Sequence, residues 1–186
     1  MGVSLWLWGF LAVAVCWGVG VYNRLMRIQA RGLAALRSVE KHMYRCTALI
    51  NTHAEQIDAR HPSDHSECAE AATALWAALM DSTHNLSQSL KDAKGTPLSS
   101  PLVVNLGIAF EATQDAWRRC SSGQLESTGG NLVSEAMRIE WENATLRVQV
   151  AREGLNQIMS KYNLAITQFP ARLLVNVMGI KPASLM

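Results

Sequence analysis

The densest group of side chains that could do chemistry lies around a proline-containing break in the chain. His61, His65 and Cys68 follow one another at steps of four and three residues, with Asp64 and Glu67 between them. Imidazole and thiolate groups are typical zinc ligands, so this spacing could hold a transition metal. A fourth ligand is not evident unless Asp64 or His53 turns in, and polar side chains cap helix ends in any case. We therefore expect capping and hydration here, and predict neither a metal site nor a cofactor.

Other arrangements typical of catalysis are weak or missing from the sequence. Glu140 and Glu142 are two residues apart on a predicted helix, so their carboxylates do not face each other. The sequence has no Gly-x-Ser-x-Gly elbow, no glycine-rich phosphate loop and none of the Glu-x-x-His pairs of metal-binding bundles. The net charge of +2 is too small to favour nucleic acid as a partner. We expect no catalytic residues, no enzymatic activity and no nucleic-acid binding.

An uncharged segment opens the chain and predicts a membrane anchor. Residues 1–23 contain no charged side chain, and about 20 apolar residues make a helix of roughly 30 Å, the thickness of a bilayer's hydrocarbon core. Aromatic residues favour the membrane interface. Those near the ends of the segment are Trp6, Trp8, Trp17 and Tyr22. The alternatives are a cleaved signal peptide or lipidation at Cys16. A signal peptide requires basic residues before its apolar run, and none is present here.

The charges that follow the anchor predict its orientation. Arg24, Arg27 and Arg31 come directly after it, and Glu40 is the one acidic residue in 24–45. Positive charge beside a membrane span tends to stay in the cytoplasm. We expect a single-pass protein of the cell (inner) membrane, with the lipid bilayer as a partner and the remaining domain in the cytoplasm. The alternative places that domain outside the cytoplasm.

The rest of the chain has helical periodicity throughout, which predicts an all-α fold. We expect four helices at about 24–60, 65–94, 102–120 and 131–168. Short joints between helices favour antiparallel neighbours, so the prediction is an N-terminal transmembrane helix that continues into an antiparallel up-down four-helix bundle. A short amphipathic tail, 169–186, should then return near the membrane, where it covers the base of the bundle or lies on the bilayer.

Residues of core type recur along these helices. The tryptophans on apolar faces are Trp76, Trp117 and Trp141, and the cysteines after the anchor are Cys46, Cys68 and Cys120. Large aromatic side chains at helical core spacing usually pack against neighbours. Widely spaced cysteines without a C-x-x-C pair indicate reduced, partly buried thiols.

Short motifs at both ends of the chain carry a family resemblance. They are Tyr22-Asn23 directly after the anchor, Ala151-Arg152, Tyr162-Asn163, Phe169-Pro170 and Gly179-x-Lys181-Pro182. This order and spacing resembles the LemA family of membrane proteins, of which the chain looks like a divergent member. The resemblance implies a helical bundle on a single anchor, a loose association with membrane organisation and envelope stress, and no established catalytic residues. Arg152 and Asn163 either form buried hydrogen bonds that fix helix register or belong to a docking surface.

These observations favour a membrane-anchored, non-catalytic helical scaffold or adaptor that self-assembles and organises the membrane or envelope. Its expected partners are further copies of the chain or another membrane protein. The alternative is a regulatory or sensory bundle that binds a peptide or small ligand between its helices and acts on a membrane partner. In that case the glycine-rich stretch 121–130 is where the bundle would open.

Overall fold

The structure, a computed structural model, consists of helices. It describes residues 2–58, 67–98, 100–122, 133–168, 171, 172, 175, 179 and 181–186. The helices are α1 (Gly2–Asp58), α2 (Glu67–Ala93), α3 (Pro101–Ser122) and α4 (Glu135–Thr167). No strand occurs in these described ranges, and the predicted all-α class with four helices is confirmed.

The first helix is continuous from the apolar segment into the folded domain. It has 57 residues, which corresponds to about 85 Å at the rise of an α-helix. The helix is exposed on all sides over residues 6–17, whereas Leu25, Leu36, Val39 and Met43 are buried at steps of eleven, three and four residues, which place them on one helix face. The same helix is therefore an unpacked apolar rod at one end and a core element at the other.

Local sequence signals set the ends of the other helices. Gly95 has a φ of 81°, a left-handed conformation that favours glycine, two residues after the end of α2. Pro101 is the first residue of α3, where its missing N–H costs nothing. The Ser134 hydroxyl accepts a hydrogen bond of 3.2 Å from the backbone N–H of Met137, so α4 begins at Glu135, later than the expected 131.

The core is assembled from two close helix pairs. The backbone of α1 runs close to that of α4 and the backbone of α2 close to that of α3, while α1 contacts α2 over a shorter stretch. The largest fully buried side chains include Phe110, Met43, Ile50, Leu79, Leu86, Leu106, Leu155 and Met159. Burying each such side chain contributes about 1.5–3 kcal/mol. The Thr113 hydroxyl joins α3 to α2 by donating to the carbonyls of Ser82 (3.2 Å) and Ala109 (2.9 Å), which share it.

The helices α3 and α4 are not among the closely spaced pairs of the described chain. Among the described residues, the side-chain contacts that bridge them include a ring stack and an ion pair. Trp117 and Trp141 stack with ring centroids 4.7 Å apart, and Arg152 donates to the Glu111 carboxylate at 2.7 Å. From the first contact to the second, the residue number falls along α3, from 117 to 111, and rises along α4, from 141 to 152. The seam between these helices is wide enough to hold a further segment of the chain.

Candidate functional site

His61, Asp64 and His65 lie outside the described residues, as do the side chains of Glu67 and Cys68. Among the residues that are described, no three His, Cys, Asp or Glu side chains come together as a metal site would require.

The apolar part of α1 is exposed. By length and composition, α1 is the one described helix able to cross a membrane, a test that a signal sequence also passes. None of its apolar window is buried against the rest of the protein. The Trp6 side chain is 83% exposed and Trp8 is 69% exposed. Trp17 is also exposed, Tyr22 is half-buried, and the exposed residues Arg24, Arg27 and Arg31 follow.

A more specific arrangement lies in the seam between α3 and α4, which holds segment 181–186. We call this seam the α3–α4 groove, formed by α3, α4 and Leu98 of the α2–α3 connection. The Asn163 side chain donates to the carbonyl of Ala183 (2.9 Å) and accepts from its N–H (2.8 Å). Asn156 makes the same pair of bonds with Met186, at 2.8 and 3.0 Å. Each asparagine thus binds both main-chain polar groups of one residue.

The spacing of the two asparagines matches an extended peptide. Asn156 and Asn163 are seven residues apart, two helical turns, so they lie on one side of α4 about 10 Å apart. Their partners, Ala183 and Met186, are three residues apart, and only an extended backbone covers about 10 Å in three steps. Since Asn163 pairs with Ala183 and Asn156 with Met186, the segment runs antiparallel to α4.

The other wall of the groove is built from the α2–α3 connection. The backbone N–H of Ser184 donates to the carbonyl of Leu98 at 3.0 Å. The Leu98 side chain is buried and lies against α1 near α4. A Cβ built on Gly32 of α1 would lie 2.7 Å from Cδ1 of Leu98 and 3.8 Å from a methyl of Ile158 of α4. The segment therefore connects α4 to the loop that joins the other helix pair.

On α3 the groove depends on a missing side chain. A Cβ at Gly107 would lie 2.9 Å from Cγ of Met186 and 3.5 Å from a guanidinium nitrogen of Arg152. The absence of that Cβ leaves room for the long methionine side chain. The ion pair of Arg152 with Glu111 lies beside it, largely exposed on the glutamate side, and contributes at most about 1 kcal/mol.

The titratable groups whose pKa is raised by burial lie on α1, α3 and α4. Burial raises the pKa of the Cys46 thiol to about 12 and that of the Cys120 thiol to about 11. Burial also raises the pKa of Tyr162. For Glu40, burial raises the carboxyl pKa more than the nearby charges of Arg37 and Lys94 lower it. Thiols held neutral in this way are poor nucleophiles and poor metal ligands.

Some residues of the family-like motifs are described by the structure and others lie outside the described residues. Asn163 contacts the segment that contains Lys181 and Pro182, whose own side chains are exposed. Tyr162 is buried, Ala151 and Arg152 are half-buried, and Asn23 is exposed. Gly179 has a φ of 63°. Phe169 and Pro170 lie outside the described residues, as do Leu173, Leu174, Val177 and Met178 of the expected amphipathic tail.

Sequence reasoning missed Asn156, Gly107 and Glu111. The available signal was the seven-residue spacing of two asparagines on one helix face. The partner of Asn163 and the partner of Arg152 could not be inferred from the sequence, because these contacts join residues that are 20 and 41 positions apart.

An exposed apolar stripe runs along α4 on the side opposite its buried face. It consists of Ile139, Leu146, Val150 and Leu164, each at least half exposed. At 100° per residue these four side chains fall within about 40° of one another and about 180° from the buried Val148. We call them the α4 stripe.

Comparisons with known proteins add no function to this geometry. No family model, curated protein or solved structure matches the chain. The LemA resemblance stays a prediction, and the features that bear on function are the exposed apolar part of α1, the α4 stripe and the α3–α4 groove.

Proposed function

We propose that this protein is a membrane-anchored, non-catalytic scaffold or adaptor that self-assembles beside the membrane. The carrying observation is that α1 continues without a break from an unburied apolar rod into the core of the folded domain. The apolar first part of α1 is not buried against the rest of the protein and needs another apolar environment. A bilayer supplies it, and the domain is then held rigidly at the membrane.

In this proposal the four helices form an antiparallel up-down bundle on a single membrane-spanning helix. The close pairing of α1 with α4 and of α2 with α3 supports it. So does the opposite direction in which the two α3–α4 contacts advance. The exposed arginines after the apolar part favour a cytoplasmic bundle at a bacterial inner membrane, because positive charge is retained on that side.

Membership of the LemA family, as a divergent member, is part of the same proposal. Its support is the motif order at both ends of the chain. The contact of Asn163 with Ala183 adds a physical reason for two of the motifs to occur together, since Ala183 directly follows Lys181-Pro182.

Self-assembly is supported by the α4 stripe. Four large apolar side chains on one exposed helix face would be covered if α4 of one copy lay along another copy. The free energy of such a contact comes from removing apolar area from water, about 25 cal/mol per Å². Scaffolds that are held in one plane by an anchor meet at high local concentration, which favours this association.

Crosslinking between single cysteines in intact membranes tests the proposal. Cysteines at Leu146 and Val150 should form self-crosslinks, whereas cysteines at Arg147 and Gln149, which are also exposed but lie about a quarter turn away on α4, should not. Equal crosslinking at all four positions, or none at any, contradicts assembly through the α4 stripe. Crosslinks to one other protein and none to a second copy indicate an adaptor for that protein.

The anchor is tested separately by extraction. The wild-type chain should stay with membranes in alkaline carbonate, and a variant with Leu11→Arg and Val15→Arg should be released, because each central arginine costs about 3 kcal/mol in a membrane helix. Release of the wild-type chain contradicts a membrane span.

A second candidate function, a regulatory bundle that binds a peptide, is favoured by the α3–α4 groove, which already holds an extended segment of the chain. The two candidates differ in one measurement. A scaffold oligomerises without a ligand, whereas a sensor unfolds at a higher temperature when its ligand is added.

A further inference from the structure

We propose that the end of the folded domain nearest the anchor is a binding surface for the headgroups of anionic phospholipids. Basic side chains of α1, of α4 and of the segment after α4 form it. This inference rests on the proposed membrane anchor and names the class of lipid that the anchored domain contacts. We call the surface the cationic base, and its members are Arg24, Arg27, Arg31, Lys161, Arg172 and Lys181.

Charge is distributed unevenly between the two ends of the domain. In the proposed up-down bundle, the described residues nearest the anchor belong to three stretches, 24–39, 93–110 and 154–186. Together these stretches contain eight of the 17 basic residues and none of the 15 acidic residues of the chain. The remainder has nine basic and 15 acidic residues. The small net charge of the whole chain therefore conceals a positive end near the anchor and a negative remainder.

The contacts of α1 with α4 set the height of each basic side chain above the bilayer. A Cβ on Gly32 of α1 would lie 2.7 Å from Cδ1 of Leu98 and 3.8 Å from a methyl of Ile158, so Gly32 and Ile158 lie at one height. With antiparallel helices, seven residues toward the anchor lead to Leu25 on α1 and eight lead to Ile166 on α4. Among the described side chains, these are the first buried one of α1 and the last buried one of α4. Both helices thus leave the core at the same height.

Four exposed basic side chains of the helices lie near this height. Arg24 lies at this height on α1, and Arg27 and Arg31 lie about 5 and 11 Å farther from the anchor. Lys161 lies on α4, about 8 Å from the same height. The headgroup layer extends about 5–8 Å beyond the hydrocarbon core, and long basic side chains can extend along a helix to reach it.

The segment after α4 adds two exposed basic side chains at the same height. The backbone N–H of Arg172 donates to the carbonyl of Gln168 at 3.1 Å, so Arg172 lies one turn beyond the end of α4. Lys181 lies two residues before Ala183, which Asn163 binds. At the rise of an extended chain, Lys181 is about 7 Å nearer the anchor than that pair, level with the end of α4. The side chains of Arg172 and Lys181 are exposed.

Anionic lipids fit this surface better than other anions do. None of the ion pairs in the described part of the chain uses a member of the cationic base, so its charges are not neutralised by such pairs. Guanidinium and ammonium groups bind phosphate oxygens, and basic residues beside a membrane are attracted to leaflets of net negative charge. A zwitterionic headgroup carries an ammonium of its own, which opposes that attraction. An acidic protein segment would first have to enter between the base and the bilayer.

Quenching by brominated lipids tests the proposal with the full-length chain. Two kinds of vesicle both contain one-fifth phosphatidylglycerol in phosphatidylcholine and the same amount of brominated acyl chain. The bromine is on phosphatidylglycerol in the first kind and on an equal amount of phosphatidylcholine in the second. Brominated chains quench tryptophan on contact, and Trp17 of the anchor is exposed. The ratio of quenching in the first kind to quenching in the second therefore reports enrichment of the anionic lipid beside α1.

We expect a ratio of at least two for the wild-type chain. The triple variant Lys161→Gln, Arg172→Gln and Lys181→Gln should lose at least half of the excess over one. It keeps the arginines of α1, so the charges that orient the anchor are unchanged. The charge-keeping triple variant Lys161→Arg, Arg172→Lys and Lys181→Arg should keep the wild-type ratio.

The matched control removes three other exposed charges, with Lys41→Gln, Arg45→Gln and Arg147→Gln. These positions lie about 25 Å or more from the cationic base along their helices, so the ratio should not change. An equal fall in this control and in the first triple variant overturns the proposal. A wild-type ratio of one also overturns it, and leaves the basic side chains to an acidic partner protein.

Vesicles of phosphatidylcholine alone separate this inference from the proposed anchor. A chain that floats with these vesicles but gives a ratio of one in the mixed vesicles leaves the anchor standing and refutes the cationic base. A chain that floats only when phosphatidylglycerol is present supports the cationic base and refutes the membrane span.

Discussion

The contact most open to measurement is the pair of hydrogen bonds between Asn163 and Ala183. Asn163→Ala removes both bonds, of 2.8 and 2.9 Å, at a net cost of about 1 kcal/mol each. Ala183 is buried, so leaving its N–H and carbonyl without partners in place would cost a further 1–3 kcal/mol or so per group. The segment should leave the groove instead, which limits the total loss to its docking free energy. We expect about 2 kcal/mol in all.

Two assays measure this loss in the purified, detergent-bound chain. Thermal unfolding should move down by about 4–8 °C, since 1 kcal/mol corresponds to 2–4 °C at this chain length. Amide hydrogen exchange should accelerate at Ala183, Ser184 and Met186 together, because all three N–H groups donate to the groove. Asn143→Ala is the matched control. Its amide donates within α4 and is exposed, so stability should change by less than about 0.5 kcal/mol.

A double-mutant cycle decides whether the segment docks as one unit. Asn156→Ala should cost about as much as Asn163→Ala, and the double variant should lose less than the sum by about 1 kcal/mol, because the first substitution already releases the shared segment. Asn163→Asp should cost at least as much as the alanine variant, since a carboxylate oxygen would then face the carbonyl of Ala183. An unchanged rate of amide hydrogen exchange at Met186 in Asn163→Ala would refute the reasoning, and so would losses of unfolding free energy that add fully in the double variant.

Further predictions concern two glycines, the two buried thiols and Glu40. Gly154→Ala should raise the free energy of unfolding by about 1 kcal/mol, because a helical Cβ there meets nothing within 4 Å. Gly32→Leu should lower it, because a Cβ there already lies 2.7 Å from a buried methyl. Urea titration compares them, and equal signs would contradict the close approach at α1. Cys46 and Cys120 should resist alkylation at pH 8 until the protein is denatured, as counted by mass spectrometry, and early labelling would contradict their burial. Since burial raises the pKa of these thiols to about 12 and 11 in the folded chain only, stability should be full below pH 9 and fall as the pH rises through that window. The raised pKa of Glu40 makes stability fall with rising pH in the same way, in a lower pH range. Its contribution is present below its ordinary pKa of 4.5 and is lost as the pH rises through the folded value. Glu40→Gln should therefore unfold at a higher temperature than wild type at pH 7, and a gap that persists at pH 4 would contradict this.

The helical architecture could be predicted from the sequence because the signals that specify a helix act between residues close together in the chain. Periodic apolar residues, Pro101 and Ser134 specify helix faces and starts within a few positions along the chain. The uncharged first segment is equally local, since its length and composition can be read without knowing any contact. For the same reason the continuity of α1 could be expected, because no proline interrupts it before Pro62.

The groove could not be expected in that way. Asn163 was recognisable as a polar residue on an apolar stretch, but two readings of it stayed open until Ala183 was located beside it. Its bonds depend on the separation of α3 and α4, which follows from how all the core side chains pack together. Gly107 likewise acquires its role only through Met186, a residue far along the chain. Sequence by itself thus determined the helices, their apolar faces and the candidate anchor, because these depend on neighbours within a turn or two. Only the tertiary structure decided which faces meet and which segment fills the space they leave, because that depends on contacts between distant parts of the chain.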